Sequence, residues 1–189
     1  MTLDSRNQPH VSIPTPSPVT LRDGTRAILR LLVPADEPLI VLGFEHLSDE
    51  SRLRRFLHPT RRLSESALHY LSHPDQSNHL ALVLTTDPAD GPIRGIGVAR
   101  CIRLGEGADC AECAITVVDE WQRRGAGRLL ARALADWSLA SGIRRWTGPE
   151  LVDNDAIGRV LGSVGEVHSR VVGDGVVECE CALSPSAPR

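Results

Sequence analysis

The secondary-structure signals of the sequence predict an α/β protein with a single domain. Short apolar runs typical of β-strands alternate with segments whose apolar residues recur at helical spacing. A chain of 189 residues with 41% apolar content can form one full-sized core, but not two ordinary domains. We therefore expect helices packed on a β-sheet.

The N-terminal half begins as a hairpin and continues with helices. Two β runs flank Asp23-Gly24, a typical hairpin turn. Pro34 opens a helix that ends near His46. Ser48 and Ser64 are candidate N-caps of two further helices. This half therefore has the order ββααα.

The C-terminal half mixes strands and helices. Three β runs, HLALVLTTD, IRGIGVARCIRL and ADCAECAITVV, precede an amphipathic helix that contains Leu130, Leu134 and Trp137 and ends at Gly142. The run IRRWTGPELV, a short helix NDAIGRVLGSVG and a closing hairpin follow. The order of this half is ββ, then β-loop-α, then βαββ.

The chain ends are polar and proline-rich. Residues 1–18 and 184–189 are predicted to be disordered, which leaves residues 19–183 as the domain. Residues 1–18 lack the apolar segment of a secretory signal, and the chain has no run long enough to span a bilayer. We expect a cytoplasmic protein without a membrane partner.

Charge and cysteine content limit the class of function. The net charge of −3 argues against a sequence-independent nucleic-acid binder. The five cysteines, in CxxC and CxC clusters, allow either a structural zinc site or small reduced core residues. The second alternative is favoured, because both clusters lie inside strand-like segments rather than on turns. We expect no metal.

The segment WQRRGAGRLL has the features of an anion-binding turn between a strand and a helix. Gly125 and Gly127 allow a ligand to approach the backbone, and the following helix presents unpaired amides and the positive end of its dipole. Arg123, Arg124 and Arg128 add guanidinium groups suited to phosphate oxygens. A pyrophosphate group is therefore the expected ligand.

Two common phosphate-binding motifs do not fit this segment. A Walker loop needs a lysine, and all 21 basic residues of the chain are arginine. A dinucleotide fingerprint needs a third Gly or Ala where Leu130 stands. The pattern that remains is Gln/Arg-x-x-Gly-x-Gly/Ala, which is matched by Gln122, Arg123, Arg124, Gly125, Ala126 and Gly127.

At these residues the sequence resembles the GCN5-related N-acetyltransferase (GNAT) superfamily, whose signature loop binds the pyrophosphate of acetyl-CoA. The resemblance covers residues 19–183. It implies a mixed central sheet of six to seven strands that splays after the fourth strand, with helices on both faces. LSDESRLRRFL and AECAITVVDEWQRRGAG further resemble the acetyltransferase domain of bacterial protein-lysine acetyltransferases (Pat-like), which modify acyl-CoA synthetases.

The resemblance places the catalytic base at Glu112, on the strand before the loop. A carboxylate with a pKa near 4.3 is a weak base for a lysine ammonium with a pKa near 10.4, so burial or a water relay should assist it. Two other interpretations stay open: an exposed edge carboxylate, or a buried ion pair with an arginine.

The resemblance also implies how the cofactor arm binds. The pantetheine arm should pair as an added strand with Thr116, Val117 and Val118, and the Val117 amide should face the thioester carbonyl. Pro149 in the next strand agrees with a splayed sheet, because it has no N–H for a ladder. Asn154 is expected to cap the following helix and to contact the arm.

The helix after that strand departs from the superfamily pattern. Many members place a general-acid tyrosine on the helix after that strand, whereas this chain has Val160 and Leu161 there. Its single tyrosine, Tyr70, is expected to pack in the core. The resemblance thus implies an acetyl-CoA-dependent N-acetyltransferase that acts on protein lysines, for example on an AMP-forming acyl-CoA synthetase. The alternatives are transfer to a small amine and a non-catalytic CoA sensor.

Overall fold

The computed structural model describes residues 16–185, and eight strands in this range form one sheet. The predicted arm, residues 1–18, and the predicted tail, residues 184–189, lie mostly outside the described residues, although β1 already begins at Ser17. The strands are β1 (Ser17–Thr20), β2 (Arg26–Leu31), β3 (His79–Thr86), β4 (Gly95–Arg103), β5 (Cys110–Val117), β6 (Arg145–Leu151), β7 (Gly165–Gly173) and β8 (Val176–Leu183).

Five α-helices lie between these strands. They are α1 (Glu37–Glu45), α2 (Asp49–Phe56), α3 (Glu65–Ser72), α4 (Ala126–Ala140) and α5 (Asp155–Leu161). The predicted N-caps form: the hydroxyl of Ser48 accepts from the Ser51 amide at 3.2 Å, and that of Ser64 accepts from the Ala67 amide at 3.1 Å. Gly142 follows the end of α4 with a φ of +83°, in the left-handed region that favours glycine.

The strand order is β1-β2-β3-β4-β5-β6-β8-β7, and only β5 and β6 pair in parallel. The sheet is thus mixed, as expected, but larger than the expected six to seven strands. Hairpins at both ends of the domain account for the difference, because β1 extends one edge of the sheet and β7 extends the other.

The sheet splays between β5 and β6, not after the fourth strand. Their pairing begins at Cys110 with Arg145 and stops at Glu112 with Thr147. Beyond this point β6 pairs with β8 alone, and Pro149 lies opposite Glu178 there. The first hairpin supplies two strands before the helices, so the strand that borders the splay is the fifth strand of this chain and not the fourth. Pro149 is tolerated because its missing N–H faces no second ladder.

The helices cover both faces of the sheet. Leu80, Leu82 and Leu84 of β3 pack in one core cluster with Leu130 and Leu134 of α4. The alternate residues of β3, Ala81 and Val83, face Ile40 of α1 in a second cluster. This alternation follows the two-residue period of a strand, so α1 to α3 and α4 to α5 lie on opposite sides.

All five cysteines are free thiols, and burial raises the pKa of Cys101 to about 11. Within residues 16–185 no three His, Cys, Asp or Glu side chains are grouped so that they could hold a metal ion. In the same range no helix is long and apolar enough to cross a membrane.

Candidate active site

The backbone of the Gln122–Gly127 loop has the shape that its glycines predict. Arg123 and Gly125 both have positive φ values, +62° and +92°, and α4 begins directly afterwards at Ala126. A Cβ atom on Gly125 would lie 3.2 Å from the side chain of Arg22. The first amides of α4 have no partner within the helix, so the loop and the helix start form a concave donor surface that suits a pyrophosphate.

The three arginines of this loop are not equivalent. Nη1 of Arg124 donates to Oδ2 of Asp23 at 2.7 Å, and its guanidinium lies 4.9 Å from the ring of Trp121. Arg124 therefore fastens the loop to the β1–β2 turn instead of extending freely toward a ligand. Arg123 and Arg128 are exposed and have no hydrogen bond or ion pair with another described residue, so these two remain available for phosphate oxygens.

The tip of the first hairpin belongs to this site, which sequence reasoning missed. The Arg22 amide donates to the carbonyl oxygen of Arg124 at 3.0 Å. The Arg22 side chain then passes over Gly125, where a Cβ atom would make a tight contact with it at 3.2 Å. No local motif indicates a contact between segments a hundred positions apart, although the lack of a side chain at Gly125 is consistent with a close neighbour.

A polar network ties the loop to α2. Asp119 accepts from the Ser48 amide at 3.0 Å, from the Ser51 hydroxyl at 2.6 Å and from Nε2 of Gln122 at 3.0 Å. Burial tends to raise the pKa of Asp119, but the bonds from Ser48 and Ser51 outweigh it, and the net pKa is lowered. Gln122 also donates to the Val117 carbonyl at 3.2 Å. Gln122 thus orients the loop relative to β5.

The edge of β5 next to the splay exposes main-chain groups. The Val118 amide donates to Ile96 of β4 at 3.0 Å. Because neighbouring residues of a strand direct their N–H groups to opposite sides, the Val117 N–H points away from β4 and into the gap beside β6. The gap holds no ladder partner for it, since β5–β6 pairing stops at Glu112. An extended ligand could therefore pair along this edge.

Glu112 lies at the point where the gap opens. It is the last residue of β5 to pair with β6, and its side chain is exposed. Burial, one of the two aids expected for this base, is therefore not found, and no ion pair joins Glu112 to another described residue. The exposure agrees with the interpretation of Glu112 as an edge carboxylate. Arg55 of α2 interacts electrostatically with Glu112 across the cleft. Glu112 thus combines solvent access with a nearby positive charge.

Asn154 occupies the N-cap position of α5, but its side chain does not cap the helix. Its Nδ2 instead donates to Oε2 of Glu150 at 3.0 Å. Glu150 is half-buried beside the gap, and burial raises its pKa, although the Asn154 bond and Arg55 act in the opposite direction. Glu150 was assigned no role from the sequence, because its strand shows no chemical motif.

Tyr70 does not pack in the core as expected. Its side chain is 51% exposed, and its ring lies 5.1 Å from that of His79. Tyr70 is on α3, on the side of the sheet opposite α5. It therefore does not replace the tyrosine that many superfamily members carry on the equivalent of α5.

A cavity of about 80 Å³ lies between α1–α3 and the face of β4 and β5. Its apolar lining includes Phe44, Phe56, Val98 and Ala114, with Thr116 also at the wall. Two arginines and an aspartate interrupt this lining: Arg55, Arg100 and Asp36. The cavity shares its face of the sheet with the side chain of Glu112, because residues 112, 114 and 116 alternate to the same side of β5.

The arginines of α2 are largely neutralised or turned inward. Arg52 donates to the carbonyl oxygens of Phe44 and Glu45 at 3.3 and 3.1 Å. Arg54 pairs with Glu50 at 2.6 Å. Arg55 lines the cavity. The helix therefore presents less free positive charge to a partner than its sequence suggests.

The model of the acetyltransferase (GNAT) family matches residues 47–160 of this chain. The chain belongs to the GNAT family. The match contains β5, the loop and most of α5, and acetyl-CoA is the acyl donor of the family.

Two relatives align with most of the chain. Acetyltransferase Pat of Mycolicibacterium smegmatis is 35% identical over 156 residues, which are 82% of this chain and 46% of that protein. Acetyltransferase PA5475 of Pseudomonas aeruginosa is 28% identical over 151 residues, 80% of each chain. The chain thus spans about half the length of the first relative.

Solved GNAT structures agree with this relationship. The GNAT domain of S. lividans PAT superposes with a TM-score of 0.78 at 32% identity, covering 89% of this chain and 97% of that one. The cAMP-binding acyltransferase from Mycobacterium smegmatis gives a TM-score of 0.61 at 32% identity and is covered over 48% of its length. The likeness is therefore to about half of that longer protein.

Proposed function

We propose that this GNAT protein is an acetyl-CoA-dependent N-acetyltransferase acting on lysine side chains of proteins, with Glu112 as general base. One observation carries the proposal: pairing between β5 and β6 stops at Glu112, so the carboxylate stands where the open strand edge begins. The Glu112 carboxylate, the open edge of β5 and the Gln122–Gly127 loop then follow one another along one strand and its C-terminal turn.

The residues of the loop and the strand edge fit the cofactor of the family. Gln122, Arg123, Gly125, Ala126, Gly127 and Arg128 would surround the pyrophosphate, and Arg124 would hold the loop in place through Asp23. Thr116, Val117 and Val118 would border the pantetheine arm, and Asn154 would border it from the far side of the gap. Bound acetyl-CoA supplies an activated acyl group as its thioester.

Glu112 is suited to accept a proton because its carboxylate is exposed to the cleft. An incoming lysine ammonium must lose a proton before its nitrogen can act as a nucleophile. A Glu112 oxygen would take that proton directly or through one water. The Val117 N–H, which has no ladder partner, would donate to the carbonyl oxygen on which negative charge develops.

The acceptor class is supported by the relatives rather than by the geometry of the cleft. Two of them bear the names Pat and PAT, and the 32% identical GNAT domain covers nearly this whole chain. We propose a cytoplasmic protein partner with an exposed lysine, for example an AMP-forming acyl-CoA synthetase. Docking of a folded partner would then select the lysine.

Labelling a lysate tests the acceptor class. The protein and labelled acetyl-CoA are incubated with a lysate of the source organism, and free lysine and polyamines are assayed in parallel. We expect labelled protein bands, among them an acyl-CoA synthetase modified on a lysine, and slow transfer to free amines. The Glu112→Gln variant is the matched control for non-enzymatic labelling.

Each other outcome identifies a different function. Rapid transfer to a small amine without labelled protein would contradict the protein-lysine proposal. Tight binding of acetyl-CoA with no thiol release for any acceptor would indicate a sensor, for which the absent tyrosine on α5 is the supporting feature.

A further inference from the structure

The cavity beside β5 contains two guanidinium groups without an acidic partner. Arg55 comes from α2 and Arg100 from β4, and both line the cavity. Within residues 16–185 no carboxylate oxygen lies within 4.0 Å of either one. The aspartate of the lining, Asp36, is already bound by Arg30 through two contacts of 2.6 Å. The cavity therefore carries net positive charge that no neighbouring carboxylate neutralises directly.

The bonds of Arg100 go to neutral groups. Its Nη1 contacts the Leu71 carbonyl oxygen and Nε2 of His79, each at 3.0 Å. Burial, followed by the charge of Arg100, lowers the pKa of His79 to about 4, so the imidazole is neutral at physiological pH. Arg100 thus donates to an uncharged ring and an uncharged carbonyl, and it retains unused donors.

Arg55 is likewise unsatisfied. It stacks on Phe56 at 5.1 Å and makes no hydrogen bond or ion pair with another described residue. Glu112 and Glu150 attract it at longer range. Among the described residues, the single buried side-chain nitrogen or oxygen without a partner is Nε1 of Trp121. No unpaired nitrogen of Arg55 or Arg100 is therefore sealed from solvent, and both residues line the cavity.

This arrangement is costly unless an anion completes it. Burial lowers the pKa of Arg55, and burial together with the charge of Arg55 lowers that of Arg100 to about 9. The charge of Arg55 therefore disfavours that of Arg100, whereas Glu112 and Glu150 favour the charged form of Arg55. Charges removed from water are retained where a partner or a ligand neutralises them. Two guanidinium groups that face one small space are suited to a carboxylate, which can accept from both.

We propose that this cavity binds the terminal carboxylate of a dicarboxylic acyl group, so that a short acyl-CoA ending in a carboxylate, such as succinyl-CoA, is a donor substrate. The inference rests on the proposed function, because it takes the thioester to lie along the Thr116–Val118 edge. The volume of about 80 Å³ is several times the roughly 10–15 Å³ that one water needs. The space thus exceeds what a single methyl group requires.

The register of the sheet places Arg100 on the same face as Thr116. Arg100 lies directly opposite Ala114 across the β4–β5 pair, and cross-strand partners point to the same face. Ala114 precedes Thr116 by one two-residue repeat, about 6.8 Å along a strand. Thr116, Arg55 and Arg100 line one cavity, so a dicarboxylic chain that starts near Thr116 would extend along this face toward the guanidinium groups.

The transfer itself needs no additional reactant. The acceptor nitrogen forms a bond to the thioester carbonyl carbon, the carbon–sulfur bond breaks, and the proton released from nitrogen balances the thiol that leaves. The distal carboxylate is carried through unchanged. The acceptor lysine would exchange its positive charge for a negative one, a larger change than acetylation produces.

Calorimetry with three ligands tests the inference without relying on turnover. Coenzyme A, butyryl-CoA and freshly prepared succinyl-CoA are titrated into the full chain, because butyryl and succinyl groups share four carbons and differ in charge. We expect succinyl-CoA to bind about tenfold or more tightly than butyryl-CoA. Arg55→Gln should abolish this preference, whereas Arg54→Gln, on the same helix but paired with Glu50, should retain it.

Two results would overturn the inference. Equal affinity of the wild-type protein for butyryl-CoA and succinyl-CoA does so without any variant, so a folding defect in Arg55→Gln cannot hide the answer. A preference that survives Arg55→Gln and also Arg100→Gln would show that the arginines do not read the carboxylate. If coenzyme A itself fails to bind, the cofactor site is wrong, and the proposed function falls together with this inference.

Discussion

The cofactor loop follows β5, the cavity lies against one face of β4 and β5, and the two regions differ in how their charged groups are paired. In the loop region, Arg124 is paired with Asp23, and Asp119 accepts three hydrogen bonds. In the cavity, Arg55 has no hydrogen-bond partner among the described residues, and Arg100 contacts only neutral groups. The charged groups of the loop region are paired within the protein, whereas the arginines of the cavity have positive charge that a ligand could neutralise.

This difference matches what each region has to recognise. A pyrophosphate is the same in every acyl-CoA, so a loop fixed by internal bonds pays little entropy when it binds one. The acyl chain and the acceptor vary between enzymes of one fold, and their specificity is set by individual side chains on a common scaffold. Substitutions should therefore affect the two regions in separable ways.

The largest effect is expected where the two regions meet, at Glu112. Glu112→Gln removes the proposed proton acceptor and preserves the shape of the side chain. Turnover should fall by about 10²–10⁴, while acetyl-CoA affinity stays within a few-fold, because the exposed carboxylate lies away from the loop. Steady-state kinetics and calorimetry measure the two quantities separately.

Glu106→Gln, in the exposed turn before β5, is the matched control and should leave turnover unchanged. In the wild-type protein, turnover should rise with pH as the base loses its proton. In the Gln variant, this ascending part of the pH profile should be lost or shifted. An unaltered rate and pH profile in Glu112→Gln would assign the role of base to another group and would favour the sensor alternative.

The next largest effect should be confined to the loop. Gly125→Val forces a β-branched residue into a φ of +92° and places a Cβ atom 3.2 Å from Arg22. The loop must then change shape, and acetyl-CoA affinity should fall by about 100-fold or more, which calorimetry would detect as loss of binding. The fold should persist, since the change lies at the surface end of α4.

Gly142→Val separates backbone strain from loop geometry. Gly142 also has a left-handed φ, +83°, but no atom lies within 4 Å of a Cβ built there. Both variants should lose comparable stability in urea denaturation, while acetyl-CoA affinity should fall in Gly125→Val alone. Equal affinities in the two variants would contradict the assignment of the loop as the pyrophosphate site.

The two regions also differ in how far the sequence predicts them. The loop is encoded by six adjacent residues, and the Ser48 and Ser64 caps by side chains that bond within one turn. These are local features with local patterns. The Arg124–Asp23 pair joins positions 101 apart, so the sequence could not show that this arginine is engaged.

The cavity was harder to predict because burial depends on tertiary packing. In the sequence, Arg55 is one of several arginines on a polar helix, yet in the structure it lines the cavity. Tyr70 is expected in the core, yet half of its side chain is exposed. Asn154 has the right position for a cap, but a closer acceptor, Glu150, competes for its side chain. Each of these outcomes depends on a neighbour from another element.

The smallest effect should come from the neutral histidine that supports the cavity. Burial and Arg100 lower the pKa of His79 to about 4, whereas an unfolded histidine titrates near 6.5. Between these values the unfolded chain binds more protons than the folded protein, so stability falls as the pH is lowered through this window.

We therefore expect wild type to lose about 2 kcal/mol of unfolding free energy between pH 7 and pH 5 through His79 alone. In His79→Gln, the side-chain oxygen can still accept from Arg100, but it cannot take up a proton, so this part of the loss should disappear. Urea denaturation at the two pH values measures the difference, and His168→Gln, at an exposed site on β7, is the control that should behave as wild type. Nearby Asp75, whose pKa is lowered, titrates below this window and should not contribute to it.

An identical acid loss in His79→Gln and wild type would mean that His79 is not kept neutral. Arg100 would then repel a charged neighbour at acid pH, and the cavity would be less dependent on an anionic ligand than its arginines imply.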